Sequence, residues 1–398
     1  MMGARARRTM RSALLAACGI ASMAQGGALD WNRPWREPLD PAAAEKQSDE
    51  YAWALFVALN WPASTASGAA LPQTPFGSDN PVVWETWIGT PAVYRSGGHD
   101  PGPWRAGDAQ LHSKERQFED NSLRDLPNLR HIVNGVMVPV LDPLASARRL
   151  TEIRMNHRAF DYVRSRQLYN IDGQLRSFKS GNPVSFPYGA REVKAKWRPI
   201  TEAERPRYHT MSLHNADGST QLYGLTALHI ASKDLPHWFW ATFEHVDNPS
   251  LPDNEGWQLP SRDQFACRET QADCNQAPTG IGLEGTAWQY YRLRGTLTSY
   301  TDAQGAPRRL ANSELEAGMQ TSSSCMTCHS RATIAEVDGS PVRLPIFDRT
   351  GSSPDDQTAR RGFLGEPTWF VAGSVSHPPA FQSLDFVWSL SLAQRFVP

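Results

Sequence analysis

The chain has 398 residues, 40% of them hydrophobic, with 30 prolines and 29 glycines, enough for one large domain or two small ones around a sizeable core. No apolar run approaches the ~18 residues that a membrane-crossing helix needs, which excludes a transmembrane helix. With 40 basic against 41 acidic residues, the chain carries no electrostatic footprint for nucleic acid or an anionic membrane surface.

The first 24 residues read as an export signal. Arg5, Arg7, Arg8 and Arg11 are followed by an apolar stretch from Ser12, and Ser22 and Ala24 form a small-x-small cleavage site. Leu15-Ala16-Ala17-Cys18 also fits a lipoprotein cleavage box with Cys18 as the anchor, but the apolar run before it is short. Arg7-Arg8 resembles a twin-arginine signal, which serves proteins exported already folded. Removing residues 1–24 takes four arginines from the 40 basic residues, leaving 36 against 41 acidic, a balance of −5. The expected location is the periplasm.

After the signal, residues 30–42 are rich in Trp and Pro and are expected to be extended. Ser48 is placed to cap a helix running to Asn60, with Trp53, Phe56 and Val57 on its buried side and Pro62 just beyond. Residues 81–89 are compatible with a short strand or a helix. Residues 151–169 read as one helix, with Ile153, Phe160 and Val163 on one stripe and arginines opposite. From 184 to 246 strand signals dominate: EVKAKWRPI, a pair turning at Asp217-Gly218, then WFWATFEHV. Residues 247–285 read as loop and 286–300 as strand. Ser313-Glu314-Leu315-Glu316 is a capping-box sequence opening a short helix, and residues 385–393 read as a terminal helix. The expected class is α+β: a β-rich body over 25–310 with helices at both ends, and a helical segment at 311–398 packed on it as one unit.

The five cysteines sort by position. Cys267 and Cys274 flank a polar loop, and in an oxidising compartment such a pair is expected to form a disulfide. Cys325-Met326-Thr327-Cys328-His329 is the C-x-x-C-H pattern for covalent haem attachment. Each thiol can add to one vinyl group, and the histidine directly after the second cysteine can reach the iron as proximal ligand. A thioredoxin-like pair would follow a strand, but Thr321–Ser324 is polar; a structural zinc site would need a second ligand pair, and none follows.

No Met follows Met326, so a second axial or distal group must come from His377 or from upstream. On WFWATFEHV, strand alternation puts Phe239, Ala241, Phe243 and His245 on one face and Trp238, Trp240, Thr242 and Glu244 on the other. His245 therefore lies on an apolar face, and His229 is expected to share a face with Leu225 and Ala227. Either could be the distal group, or a core histidine bonded to a backbone carbonyl. Glu244 is expected on a solvated face, and His209, His214 and His237 are expected to face solvent.

EVKAKWRPI, GLTALHIASKDLPHWFWATFEHVDNP, LRGTLTSY and SSCMTCHSRA together make the chain resemble a group of exported bacterial single-haem cytochrome c family proteins, over roughly residues 40–395. The resemblance implies haem c at Cys325 and Cys328 with His329 on iron, and places His229 and His245 at matching motif positions. It implies no particular reaction, redox partner, small-molecule substrate or oligomeric state. Electron transfer and a peroxidase- or oxygenase-like oxidoreductase with an open distal site are both compatible with one haem; a gas sensor lacks an accompanying signalling segment.

Overall fold

The computed structural model describes residues 29–105, 107–114, 116–118, 130–133, 136–139, 149–215, 217–248, 260–268, 273–316, 320, 323–344 and 381–398. The expected export signal, Cys18 and His377 lie outside them. Residues 31–36 turn rather than extend, and two helices follow, α1 (Pro41–Lys46) and α2 (Ser48–Leu59), with two short ones further on, α3 (Thr90–Val93) and α4 (Asp108–Lys114). Asp40 starts α1, its carboxylate accepting from the Ala42 and Ala43 amides. Asn60 ends α2 by bonding back to the Phe56 carbonyl while its Oδ1 accepts from Trp84 Nε1 at 2.9 Å. Ser48 is not the cap: Gln47 occupies that position, and the Ser48 hydroxyl bonds to Thr296.

The protein is of mixed α+β class, and its centre is an antiparallel sheet. In spatial order among the described residues, the strands are β1 (Ile88–Gly89), β4 (Leu150–Met155), β5 (Arg191–Pro199), β7 (Thr220–Ser232), β8 (Phe239–His245) and β9 (Tyr291–Leu297). A further strand, β6 (Thr210–His214), pairs with the first half of β7 through the expected turn at Asp217-Gly218. A separate hairpin joins β2 (Arg130–Val133) to β3 (Val136–Pro139).

Period-two alternation divides the sheet's side chains between two cores. On one face Val193, Ala195, Trp197, Leu228, Ile230, Phe239, Ala241, Phe243 and Leu293 pack against α2, whose Trp53 and Phe56 rings lie 5.0 and 4.3 Å from Phe243. Each of the larger of these side chains, Val, Leu, Ile and Phe, stabilises the fold by ~1.5–3 kcal/mol on burial. The opposite face meets α5 (His157–Ser165), α6 (Ile171–Ser180) and the C-terminal segment, sharing a second core of Met155, Phe160, Val163, Leu175, Trp240, Leu297, Met326 and Leu390.

The expected helix over 151–169 is corrected. Its first part is β4, where Thr151 to Met155 pair with Lys196 to Glu192, and the helix begins only after Asn156, whose side chain caps it. Residues 81–89 resolve into a 3-10 turn (Val83–Thr86) followed by β1. The tail forms a 3-10 turn over Trp388–Leu392 rather than an α-helix. Residues 313–316 make turns; Asn312 and not Ser313 supplies the cap, accepting from the Glu314 amide while the Glu316 carboxylate reaches back to the Asn312 amide. Among the described residues no helix is long and apolar enough to cross a membrane.

Candidate haem-attachment site

Ser323 and Ser324 lead into α7 (Cys325–His329), a single helical turn that carries both cysteines and the histidine. The apolar Met326 on this turn is fully buried in the second core and anchors it to the sheet. Cys325 and Cys328 are half-buried residues whose thiols are not joined to each other. Burial pushes the Cys328 thiol up to about 11 and Cys325 well above the ordinary value, so both are protonated at neutral pH.

His329 is oriented from two sides. Its ring lies 4.5 Å from Trp240 of β8, and its Nδ1 is 2.8 Å from the Phe386 carbonyl of the C-terminal tail. A carbonyl oxygen can only accept, so Nδ1 carries the proton and Nε2 keeps its lone pair. Desolvation pulls this imidazole down to about 4, which keeps it neutral at pH 7. A neutral histidine held at Nδ1 by a carbonyl, with Nε2 available, is the form in which proteins present histidine to a metal.

The donor set fits a c-type haem: two unpaired thiols one helical turn apart, followed by that histidine. Cys325 and Cys328 would hold the group by thioethers and His329 would bind its iron; when bound, the haem supplies one-electron cycling of the iron. Among the described residues no group of three or more His, Cys, Asp or Glu is arranged to hold a bare metal ion.

The structure separates the two upstream histidines. His229 pairs in register with Thr242 on one side and Lys194 on the other, on the face that carries Trp240 and meets α7. Its Nε2–H donates to Glu316 Oε1 at 3.0 Å, and its buried Nδ1 has no hydrogen-bond partner among the described residues. Burial pushes Glu316 up, but the His229 imidazole and the Asn312 amide outweigh it, leaving the carboxyl below its usual range. The charges of Lys194, His229 and Glu316 all act on His329, and that of Glu316 on both thiols.

His245 is on the other face, fully buried with Phe243 and Tyr291. Its Nε2 donates to the Arg207 carbonyl at 2.9 Å, its Nδ1 accepts from the Asp247 amide at 3.1 Å, and its ring stacks on Tyr208 at 3.7 Å. Both nitrogens are used, and the structure does not bring this residue to the haem motif.

Other expectations are also corrected. The shared face of Leu225 and His229 is lost because β7 bulges at Thr226: Trp197 pairs with Leu225 and Lys196 with Ala227, so Leu225 joins the α2-side core. Glu244 is fully buried rather than solvated, accepting from Arg292 Nε at 3.0 Å and from the Ser313 amide and hydroxyl at 3.0 and 2.6 Å. His214 and His237 are exposed, but His209 is partly buried, bonded to Glu85 at 2.8 Å and stacked on Trp288. Sequence reasoning missed Trp240, Phe386 and Glu316 as partners of this site; the first had a signal in strand alternation, the other two had none. The structure pairs Cys267 with Cys274, with Cα atoms 6.0 Å apart.

No family model, curated protein or solved structure matches the chain.

Proposed function

We propose that this chain is an exported, periplasmic c-type haem protein that holds one haem at Cys325, Cys328 and His329 and acts in electron transfer. The observation that carries this reading is the His329 ring, fixed at Nδ1 by the Phe386 carbonyl and against Trp240, which leaves Nε2 without a hydrogen bond among the described residues. The resemblance of SSCMTCHSRA and TFEHVDNP to single-haem cytochrome c family proteins points the same way, and the Cys267–Cys274 pairing suits an oxidising compartment.

A second reading, a single-haem oxidoreductase of the peroxidase or oxygenase kind, is favoured by one feature. His229 is held by Glu316 at one nitrogen and has the other unpartnered, on the sheet face that meets the motif. A carboxylate-held imidazole can move a proton at that free nitrogen. The redox partner protein or small-molecule substrate is left open by both readings.

The deciding experiment produces the protein with a cytochrome c maturation system and first asks whether colour survives acid–acetone extraction. Complete loss of the haem into acetone sinks both readings. If the haem is retained, ferric and ferrous spectra with and without carbon monoxide separate them. A low-spin spectrum that carbon monoxide does not move means two strong axial ligands and electron transfer; a high-spin spectrum that shifts means an open position and the oxidoreductase.

A further inference from the structure

A surface cavity of about 480 Å³ lies away from the haem motif, beside the N-terminus of α5. Its charged lining is three guanidinium groups, Arg36, Arg158 and Arg191, against the single carboxylate of Glu37. Arg191 is met by Glu37 and by Asp234 behind it, so the positive charge of the wall that has no carboxylate partner among the described residues is that of Arg36 and Arg158.

Arg191 forms the deep side. Its side chain is 3% exposed, and its terminal nitrogens bond to Glu37, to the Pro38 carbonyl at 2.9 Å and to Asp234 at 3.4 Å, while its Nε has no partner among the described residues. At the rim, Arg158 spends one nitrogen on the Tyr188 carbonyl, at 2.9 Å, and Arg36 is exposed.

The end of α5 adds backbone donors. Asn156 lines the cavity and takes the Ala159 and Phe160 amides, so the amides of His157 and Arg158 remain as donors at the positive end of this nine-residue helix. The rest of the wall is apolar or lacks a side chain: Trp35, Leu39, Ala69, Ala70, Val83 and Gly189. Gly189 has φ +79°, a conformation that favours glycine, and a Cβ there would press on Leu39 Cδ2 at 3.2 Å.

We propose that this cavity binds a small organic anion, a carboxylate or phosphate monoester on a compact apolar body. Arg36, Arg158 and the α5 N-terminus take the charge, and Trp35 and Leu39 cover the body. Guanidinium groups suit both oxyanions because each offers paired donors to two oxygens. The site does not depend on the haem reading.

The test uses the full exported chain and follows thermal unfolding with benzoate, benzyl alcohol, phenyl phosphate or inorganic phosphate. Benzoate or phenyl phosphate is expected to raise the midpoint in a saturable way, and benzyl alcohol is not. Arg36→Gln and Arg158→Gln are at exposed positions and should fold normally, yet each should weaken the response about tenfold. A response to benzoate alone assigns a carboxylate, and one to phenyl phosphate alone assigns a phosphate ester. No saturable response to any anion, a response to inorganic phosphate alone, or a response that both variants keep intact overturns the proposal.

Discussion

Cys325, Cys328 and His329 share one helical turn, and the reading of this site can be tested one side chain at a time. Cys325→Ala should leave at most one thioether and much less holoprotein, measured as haem retained per chain after denaturation. His229 and His245 make a matched pair of controls, since they lie on opposite faces of one sheet. His229→Ala is expected to change the ferric spectrum or the response to added peroxide, because the residue faces the motif. His245→Ala should leave both unchanged and lower stability by about 2 kcal/mol, having lost two hydrogen bonds and a stacked ring. If the effects are reversed, the assignment of faces to functions is wrong.

His245 also gives a pH dependence with a definite sign. Burial is the main cause pulling it down to about 4 from 6.5, with Arg207 and Arg198 helping and the Arg207 carbonyl and Asp247 opposing. Between those values the unfolded chain takes up a proton that the folded chain refuses. Its contribution to stability is therefore complete above about pH 6.5 and lost as the pH falls towards 4. Asp263 acts the other way, since burial holds it up at about 6 against 3.8, so its contribution is complete at low pH and lost as the pH rises through 6. Urea midpoints of the parent and of His245→Asn across this window should converge as the pH drops; curves that stay parallel would exclude His245 as the cause.

At the scale of elements, the linkage between β8 and the segment before the motif runs through Glu244. This carboxylate is buried between Arg292 and Arg294 of β9 and accepts twice from Ser313. Glu244→Gln leaves two buried guanidinium groups short of a counter-charge and is expected to cost about 3 kcal/mol in urea unfolding. Ser313→Ala removes one of the two contacts and should cost about 1 kcal/mol.

These elements also show what the sequence could tell. EVKAKWRPI and WFWATFEHV announce strands through their alternation, and both form where that pattern puts them. Alternation correctly gave His245 an apolar face, but which face of a sheet receives a distant segment is not local information. The bulge at Thr226 swaps the parity of half a strand, and its one local signal is the isolated Gly224 two residues earlier. The over-long helix from 151 hid a signal that was there: Asn156 is a good capping residue, and TEIRM before it alternates. The capping box at Ser313 was read one residue late, because Asn312 caps equally well and the Ser313 hydroxyl is taken by Glu244.

At the scale of the molecule, the sheet is one wall with two different tenants. The α2 side is an aromatic core, and the other side receives the motif and the tail. The segment from 311 onward is tied to the body by Asn312 to Thr242 and the Phe243 carbonyl, by Lys233 to Asp385 at 2.7 Å and by Gln174 to the Leu390 carbonyl. Such ties predict a single cooperative unfolding transition rather than separate melting of 311–398, checked by following far-ultraviolet circular dichroism and tryptophan fluorescence together. The Cys267–Cys274 bridge closes only a short loop, so its reduction should cost about 2 kcal/mol, measured by urea unfolding with and without reductant.

The Phe386 carbonyl that orients His329 is 57 residues further along the chain. A polypeptide threaded from its N-terminus presents the cysteines and the histidine well before that carbonyl arrives. During this interval the imidazole is free to rotate and α7 lacks its cover from the tail, while the strands up to β9 are already available to pair. If a haem is attached at this turn as proposed, this interval is when the ring can still turn to meet it. Under that proposal the hydrogen bond that fixes the ring in the finished protein would also set an order of events, with the tail docking after attachment.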